Sequence, residues 1–118
     1  MLLENLKWPE VKRIDFPKTP VVIPLGSVEQ HGPHLPVTTD TEIVTALARQ
    51  VESRLPERIL VTPTMWLGHS PHHMNFPGTL SAEPRIYVDI VKSNLLTICY
   101  LSLFEIGNAR SKIKTSKN

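Results

Sequence analysis

The chain is short of several things at once, and each shortage removes a class of function. It has one cysteine, Cys99, which excludes an intramolecular disulfide and a cysteine-based zinc knuckle. Aromatic residues make up only 6% of the chain, and none interleaves with a basic face or belongs to a nucleic-acid-binding motif. The stretch from Met1 to Asp15 mixes acids with bases around no long apolar centre, so it does not read as a secretory signal. The longest apolar-rich stretch, Leu95 to Ile106, falls short of the ~20 residues that a membrane-spanning helix needs. Charge of one sign is scarce too, with a net of +2. Acids stop at Glu105, and Arg110, Lys112, Lys114 and Lys117 after it read as a solvated, frayed end rather than a nucleic-acid surface. The expectation is a cytoplasmic protein with neither membrane nor nucleic acid as partner.

What the chain does have fits one small globular domain. At 118 residues, 41% hydrophobic and 20% charged, it can build a single modest core. Eleven prolines are many, and Pro20, Pro24, Pro63 and Pro77 flank apolar runs, where short strands hand over to structured loops. There is no internal repeat and no low-complexity segment.

The apolar pattern predicts alternating strands and helices. Trp8 to Val11 starts a short helix, and Val21 to Leu25 is a continuous apolar run ending at Gly26. Continuous apolarity is the mark of a strand covered on both faces, hence of a parallel sheet. A polar loop follows from Ser27 to Thr39. Thr39, Asp40 or Thr41 then caps a helix with Ile43, Val44, Leu47, Ala48, Val51 and Leu55 at helical spacing, stopped by Pro56. Ile59 to Pro63 is a second short strand, and Trp66 to Thr79 a second loop. Pro84 opens the last helix, which sets Tyr87, Ile90, Val91, Leu95 and Ile98 along one face. This order is that of an open α/β sheet, whose chemistry sits in loops at the carboxyl ends of the strands. Both unusual loops fall there.

The first loop carries Glu29 and His31, two apart and so projecting the same way in an extended stretch, and leads to Asp40. One imidazole and two carboxylates suit Zn²⁺ or Mn²⁺, and a shared carboxylate can bridge two ions. By spacing alone the set fits equally a commonplace Glu-x-His pair beside an aspartate that merely caps a helix. His34, between Pro33 and Leu35, reads as a packing or hydrogen-bonding residue. The second loop holds His69, His72 and His73, three of the five histidines, with no Cys or acid among them to complete a separate metal set. Loop histidines are natural ligands and proton carriers, but exposed ones often do neither.

The run from Ile23 through Glu29-Gln30-His31-Gly32-Pro33-His34 to Pro36, followed by Thr39-Asp40, is very similar to the signature of the creatininase (creatinine amidohydrolase) family. Gly68-His69-Ser70 through His73 to Phe76-Pro77-Gly78-Thr79 resembles the family's second block, in order and at the right distance. The resemblance covers about residues 5–92. It implies a three-layer α/β/α sandwich with a mainly parallel sheet. It implies a hydrolase acting on a non-peptide C–N bond of a small-molecule amide: a cyclic amide such as creatinine, or a formamide. Related members act on formamides of flavin-type cofactor synthesis or trim a cofactor-precursor peptide. Glu29, His31 and Asp40 correspond to metal ligands of a two-ion Zn or Mn site, with Asp40 the bridge. Ser70 and His73 fall in the loop that walls the substrate pocket. Family members are commonly oligomeric, hexamers among them.

From about Ser93 the sequence stops resembling the family. Members continue with a strand ending in Asn-Gly-His, whose His is a further ligand, and later supply a catalytic His or Glu. Here the last histidine is His73, and Gly107-Asn108 is followed by Ala109. The expectation is therefore a creatininase-like amino-terminal half-domain over 1–92 and a divergent basic segment over 93–118, as a frameshift, premature stop or misplaced gene boundary would leave. The catalytic acid/base is expected in the missing half, activity is expected to be impaired, and an apolar sheet edge is expected to stand open. The competing reading is a non-catalytic remnant that binds metal or another subunit.

Overall fold

Prolines decide how long the strands are. The computed structural model describes the backbone of residues 1–115 and the side chains of residues 1–103. Only two residues of each apolar run form a regular ladder, β1 (Val21–Val22) and β2 (Leu60–Val61), paired in parallel with Val21 opposite Leu60 and Val22 opposite Val61. Pro24 and Pro63 have no N–H to give, and the ladder lapses there. It resumes at a single bridge between Leu25 and Met65, where Met65 N–H donates to Pro24 O at 2.9 Å and Gly26 N–H to Met65 O at 2.7 Å. The five-residue strands expected from the sequence are thus corrected to two-residue ladders with a proline gap. β1 has no second strand neighbour among the described residues. The far side of β2 is taken by the start of the chain, with Val61 N–H donating to Met1 O at 2.9 Å. The Met1 ammonium donates to Ile59 O and pairs with Glu52 at 2.7 Å.

Successive β2 residues face opposite ways, as the period of two requires. Leu60 packs with Ile14 and Phe16, joined by Leu3, Leu6, Val11 and Leu101. Val61 packs on the other side with Ile59 and Ala48, joined by Leu2, Val22 and Leu55. Helix α2 (Thr39–Arg54) covers the second face. The short α1 (Trp8–Val11), the 3-10 turn Phe16–Lys18 and the long α3 (Pro84–Thr115) gather on the first. The arrangement is a helix–sheet–helix sandwich.

The helix faces depart from expectation. On α2 only Ala48 is buried, while Ile43, Leu47 and Val51 stand exposed. On α3 Tyr87, Val91 and Ile98 are half-buried, but Ile90 and Leu95 are exposed. Periodicity finds the apolar faces and says nothing about what covers them. α3 is also longer than the sequence suggested and runs unbroken past Ser93. Its Pro84–Leu103 stretch is long and apolar enough, by length and composition, to cross a membrane, which corrects the expectation of no such stretch. A core helix whose cover lies elsewhere has the same composition. The side chains of Arg110, Lys112, Lys114 and Lys117, and the Gly107-Asn108-Ala109 step, lie outside the described residues.

Candidate metal centre

The loop after β1 and the loop after β2 are stitched into one surface. Leu80 N–H donates to Val28 O, and Ala82 N–H to Gly68 O, both at 2.9 Å. Glycine permits the close approaches. A Cβ on Gly26 would lie 2.8 Å from Thr41 Cα, so only glycine lets the start of α2 come down on the strand end. Gly32 adopts φ +73°, turning the chain directly after His31.

Asp40 does not cap α2, as the sequence suggested. The N-cap is Thr38, without a side-chain bond, and the Thr39 hydroxyl turns back to Pro36 O at 2.6 Å. Asp40 is left in the first turn, where the helix dipole favours a carboxylate, with both oxygens free for the loop. Oδ2 accepts the Ser27 hydroxyl at 2.5 Å, and Oδ1 faces His31 Nε2 at 3.1 Å. The Thr41 hydroxyl donates to Ser27 O at 2.8 Å and fixes Ser27 in turn. Glu29 is held by its backbone N–H, which donates to Val37 O at 2.9 Å. Potential ligand atoms of Glu29, His31 and Asp40 all lie within 4.8 Å of one another, and all three residues are half-buried.

The hydrogen bonds say what this cluster is prepared to hold. His31 Nδ1 donates to the carbonyl of Glu29 at 3.1 Å. A neutral ring so committed turns its Nε2 lone pair towards the Asp40 carboxylate. Two electron-rich atoms face one another there at 3.1 Å, and the contact is favourable only when they share a cation: a proton on Nε2, or a metal that both would ligate. The electrostatics of the pair favour the proton's version. The Glu29 carbonyl, then the charge and hydrogen bond of Asp40, raise the His31 pKa above its ordinary value. The Ser27 hydroxyl, then the attraction of His31, lower that of Asp40. An imidazole donating its far nitrogen to a carbonyl while presenting the near one is also how metal-bound histidines are oriented. The donor set therefore fits a divalent ion of the Zn²⁺ or Mn²⁺ type.

The second loop contributes His73. Its Nε2 lies 3.8 Å from Glu29 Oε1, and its Nδ1 meets Gln30 Nε2 at 2.9 Å. Spacing had not singled out Gln30; its only signal is an amide between the two supposed ligands. Ser70 is 1% exposed, and its N–H donates to the Ser81 hydroxyl at 2.8 Å. It braces the loop from inside and offers no open surface to a small molecule. His34 and His72 are exposed, the latter with its ring 4.1 Å from that of His73. His69 Nδ1 donates to Ala82 O at 2.9 Å. A groove of about 650 Å³ lies elsewhere, between β2's end and α3, and is lined by Leu3, Ile23, Met65, Trp66, Ile98 and Leu101. It is apolar and touches none of these residues.

A family model described as "Creatininase: Creatinine amidohydrolase" matches residues 4–99. The chain belongs to the creatininase family. The match extends past Ser93, where the resemblance of the motifs had ended. Among curated proteins, the chain is 51% identical over 69 residues to a mycofactocin precursor peptide peptidase of Mycobacterium tuberculosis, a match covering 52% of this chain and 28% of that protein. It is 30% identical over 85 residues to a creatinine amidohydrolase of Pseudomonas putida, covering 67% and 32%. The chain thus spans about a third or less of these relatives' lengths. Solved creatininases share the fold. One superposes with a TM-score of 0.77 at 24% identity, covering 86% of this chain and 40% of that one. A mutant described as Zn-Zn type gives 0.69 at 21%, covering 99% and 54%.

Proposed function

We propose that this chain forms the amino-terminal part of a divalent-metal hydrolase site, with Glu29, His31 and Asp40 as ligands and Zn²⁺ or Mn²⁺ as the ion. The observation that carries the reading is the His31–Asp40 contact, in which a ring whose Nδ1 is already spent directs Nε2 at a carboxylate oxygen 3.1 Å away. When bound, such an ion polarises a carbonyl and lowers the pKa of water. The chain's own residues hold and orient: Ser27 fixes one oxygen of Asp40, the Glu29 carbonyl fixes the ring of His31, and Gly32 turns the loop away. His73, half-buried beside Glu29, is the residue of the second loop proposed to face a substrate. Asp40 is the proposed bridge where a second ion binds, and three ligands leave positions for groups from outside this chain. The acid/base that completes turnover is proposed to be among them.

The proposed substrate is a small amide cleaved at a non-peptide C–N bond, a cyclic amide such as creatinine or a formamide. The relative that carries a peptidase name makes a peptide bond the competing case. Self-association, common in the family, belongs to the same reading. Titration of the purified chain with Zn²⁺ and Mn²⁺, beside a Glu29→Ala/His31→Ala double variant, tests it. Binding lost in the variant supports the half-site; equal binding in both, or none in either, overturns it. Creatinine, an N-formyl amide and a short peptide, tried with the metal-loaded chain, then separate the substrate classes. Metal binding without turnover of any of them supports the alternative of a binding module.

A further inference from the structure

The side-chain amide of Gln30 has both ends assigned by its neighbours. Its Oε1 accepts Gly32 N–H at 2.9 Å, which leaves the NH₂ as the end that meets His73 Nδ1 at 2.9 Å. Turning the amide over would set its NH₂ against the Gly32 N–H, two donors facing with nothing to accept. The NH₂ has only hydrogens to offer, so Nδ1 of His73 is the ring's acceptor. The proton of the neutral ring then sits on Nε2, the nitrogen that faces Glu29 Oε1 at 3.8 Å.

His31, the other imidazole close to Glu29, is fixed in the opposite sense. Its Nδ1 meets a carbonyl, which can only accept, so Nδ1 carries the proton and Nε2 the lone pair. Two imidazoles near one carboxylate are thus held in opposite tautomers. This matters because Glu29, His72 and His73 also bring potential ligand atoms within 4.8 Å of one another. By distance alone they are as good a donor set as Glu29, His31 and Asp40. A nitrogen carrying a hydrogen has no lone pair for a metal, however well it is placed.

We propose that Gln30 is a positioning residue that locks His73 as the Nε2–H tautomer, making His73 a hydrogen donor towards Glu29 and withholding it from metal. Gln30 thereby confines the ion to the Glu29–His31–Asp40 set and away from Glu29, His72 and His73. The consequence for metal rests on the reading of Glu29 as a ligand. The tautomer rests on hydrogen bonds alone, so the two fail separately.

The test is a long-range ¹H–¹⁵N correlation of the imidazoles in the metal-free 118-residue chain, at a pH where the rings are neutral, with a His73→Gln variant to assign the signals. The expected result is a pyridine-type nitrogen at Nδ1 of His73 and a pyrrole-type one at Nε2; the reverse pattern overturns the proposal. Gln30→Glu sharpens it, because a carboxylate still accepts Gly32 N–H but now also accepts from Nδ1. His73 is expected to switch to the Nδ1–H form, and Zn²⁺ titration to gain an equivalent that disappears in Gln30→Glu/His72→Ala. An unchanged tautomer in Gln30→Glu overturns the lock. A switched tautomer without the added equivalent overturns the withholding role. If Gln30→Glu does not fold, the wild-type spectrum decides the tautomer by itself. A wild type with the expected tautomer but no Zn²⁺ uptake strikes at the metal reading and leaves the tautomer standing.

Discussion

The strand-end loops and the outward faces of α2 and α3 are built on opposite terms. Around the candidate site the polar side chains pair with one another, Ser27 with Asp40, Thr41 with the Ser27 carbonyl and Gln30 with both Gly32 and His73, although the buried Thr79 hydroxyl of the second loop has no partner among the described residues. On the helices, large apolar side chains stand in the open, among them Leu47 at 57%, Val88 at 60% and Leu96 at 58% exposure. The difference is one of range. A hydrogen-bonded loop completes itself with groups close in the chain or directly across a strand pair, whereas a helix face needs a whole second surface. The hydrogen bonds that order the loop cluster are therefore supplied locally, while the helix faces need a surface from elsewhere.

The contrast is most directly broken at Asp40. Asp40→Ala removes a proposed ligand and leaves His31 Nε2 and the Ser27 hydroxyl without their partner. Removing an outer-sphere partner of a metal site costs ~10–100-fold in affinity, so loss of a ligand is expected to reach at least ~100-fold. Zn²⁺ affinity by calorimetry reads the change. A loss under tenfold would mean the loop's order serves packing alone.

Gly26→Ala attacks the same loop through sterics. The added methyl lies 2.8 Å from Thr41 Cα, and backbone does not swing aside as a flexible side chain does. Overpacking of this kind costs ~1–3 kcal/mol. The melting temperature is expected to fall, with metal affinity falling alongside because Thr41 can no longer hold Ser27.

Legibility in the sequence follows the same division. The strand–loop–helix order and the parallel pairing follow from local pattern, whereas spacing left Glu29, His31 and Asp40 open and the family resemblance of the motif grouped them. The cap stayed open among Thr39, Asp40 and Thr41 because all are good capping types, and the structure gives it to Thr38, leaving Asp40 to turn towards His31 and Ser27. Gln30 was missed because an amide's part depends on Gly32 and His73, and His73 is distant in sequence. The exposure of Ile43, Leu47 and Leu95 was not readable at all. Periodicity reports that a face is apolar, and its cover belongs to other surfaces.

Ser27→Ala should have a milder effect than Asp40→Ala. It takes the hydroxyl from Asp40 Oδ2 but leaves every proposed ligand in place, so the expected loss of Zn²⁺ affinity is about tenfold, at the low end for outer-sphere changes. The same exchange raises the Asp40 pKa, since that hydroxyl is the first cause of its depression.

The pH dependence has two signs. The raised pKa of His31 adds stability to the metal-free fold below the ordinary 6.5, and this is lost as pH rises through the raised value. The lowered pKa of Asp40 adds stability above the ordinary 3.8, and this is lost as pH falls through the lowered value. A metal held by His31, as proposed, would take the place of the proton on that ring. Affinity is therefore expected to climb by at most about tenfold per pH unit up to the raised His31 pKa and to level off beyond it. Calorimetry across that range reads it. A flat profile would mean that His31 is not a ligand.

The smallest effect is expected on the helices, and it turns on what covers them. Val88→Gln/Leu96→Gln changes two exposed side chains of α3. If that face is solvated, each change falls within about 0.5 kcal/mol, with the melting temperature and Zn²⁺ affinity unaltered. If it is covered by self-association, the variant sediments as a smaller species than the wild type and melts lower in a concentration-dependent way. The first result keeps loops and helices as separate systems. The second gives α3 its missing surface and makes the stability of the proposed metal half-site depend on a contact that no local pattern in the sequence describes.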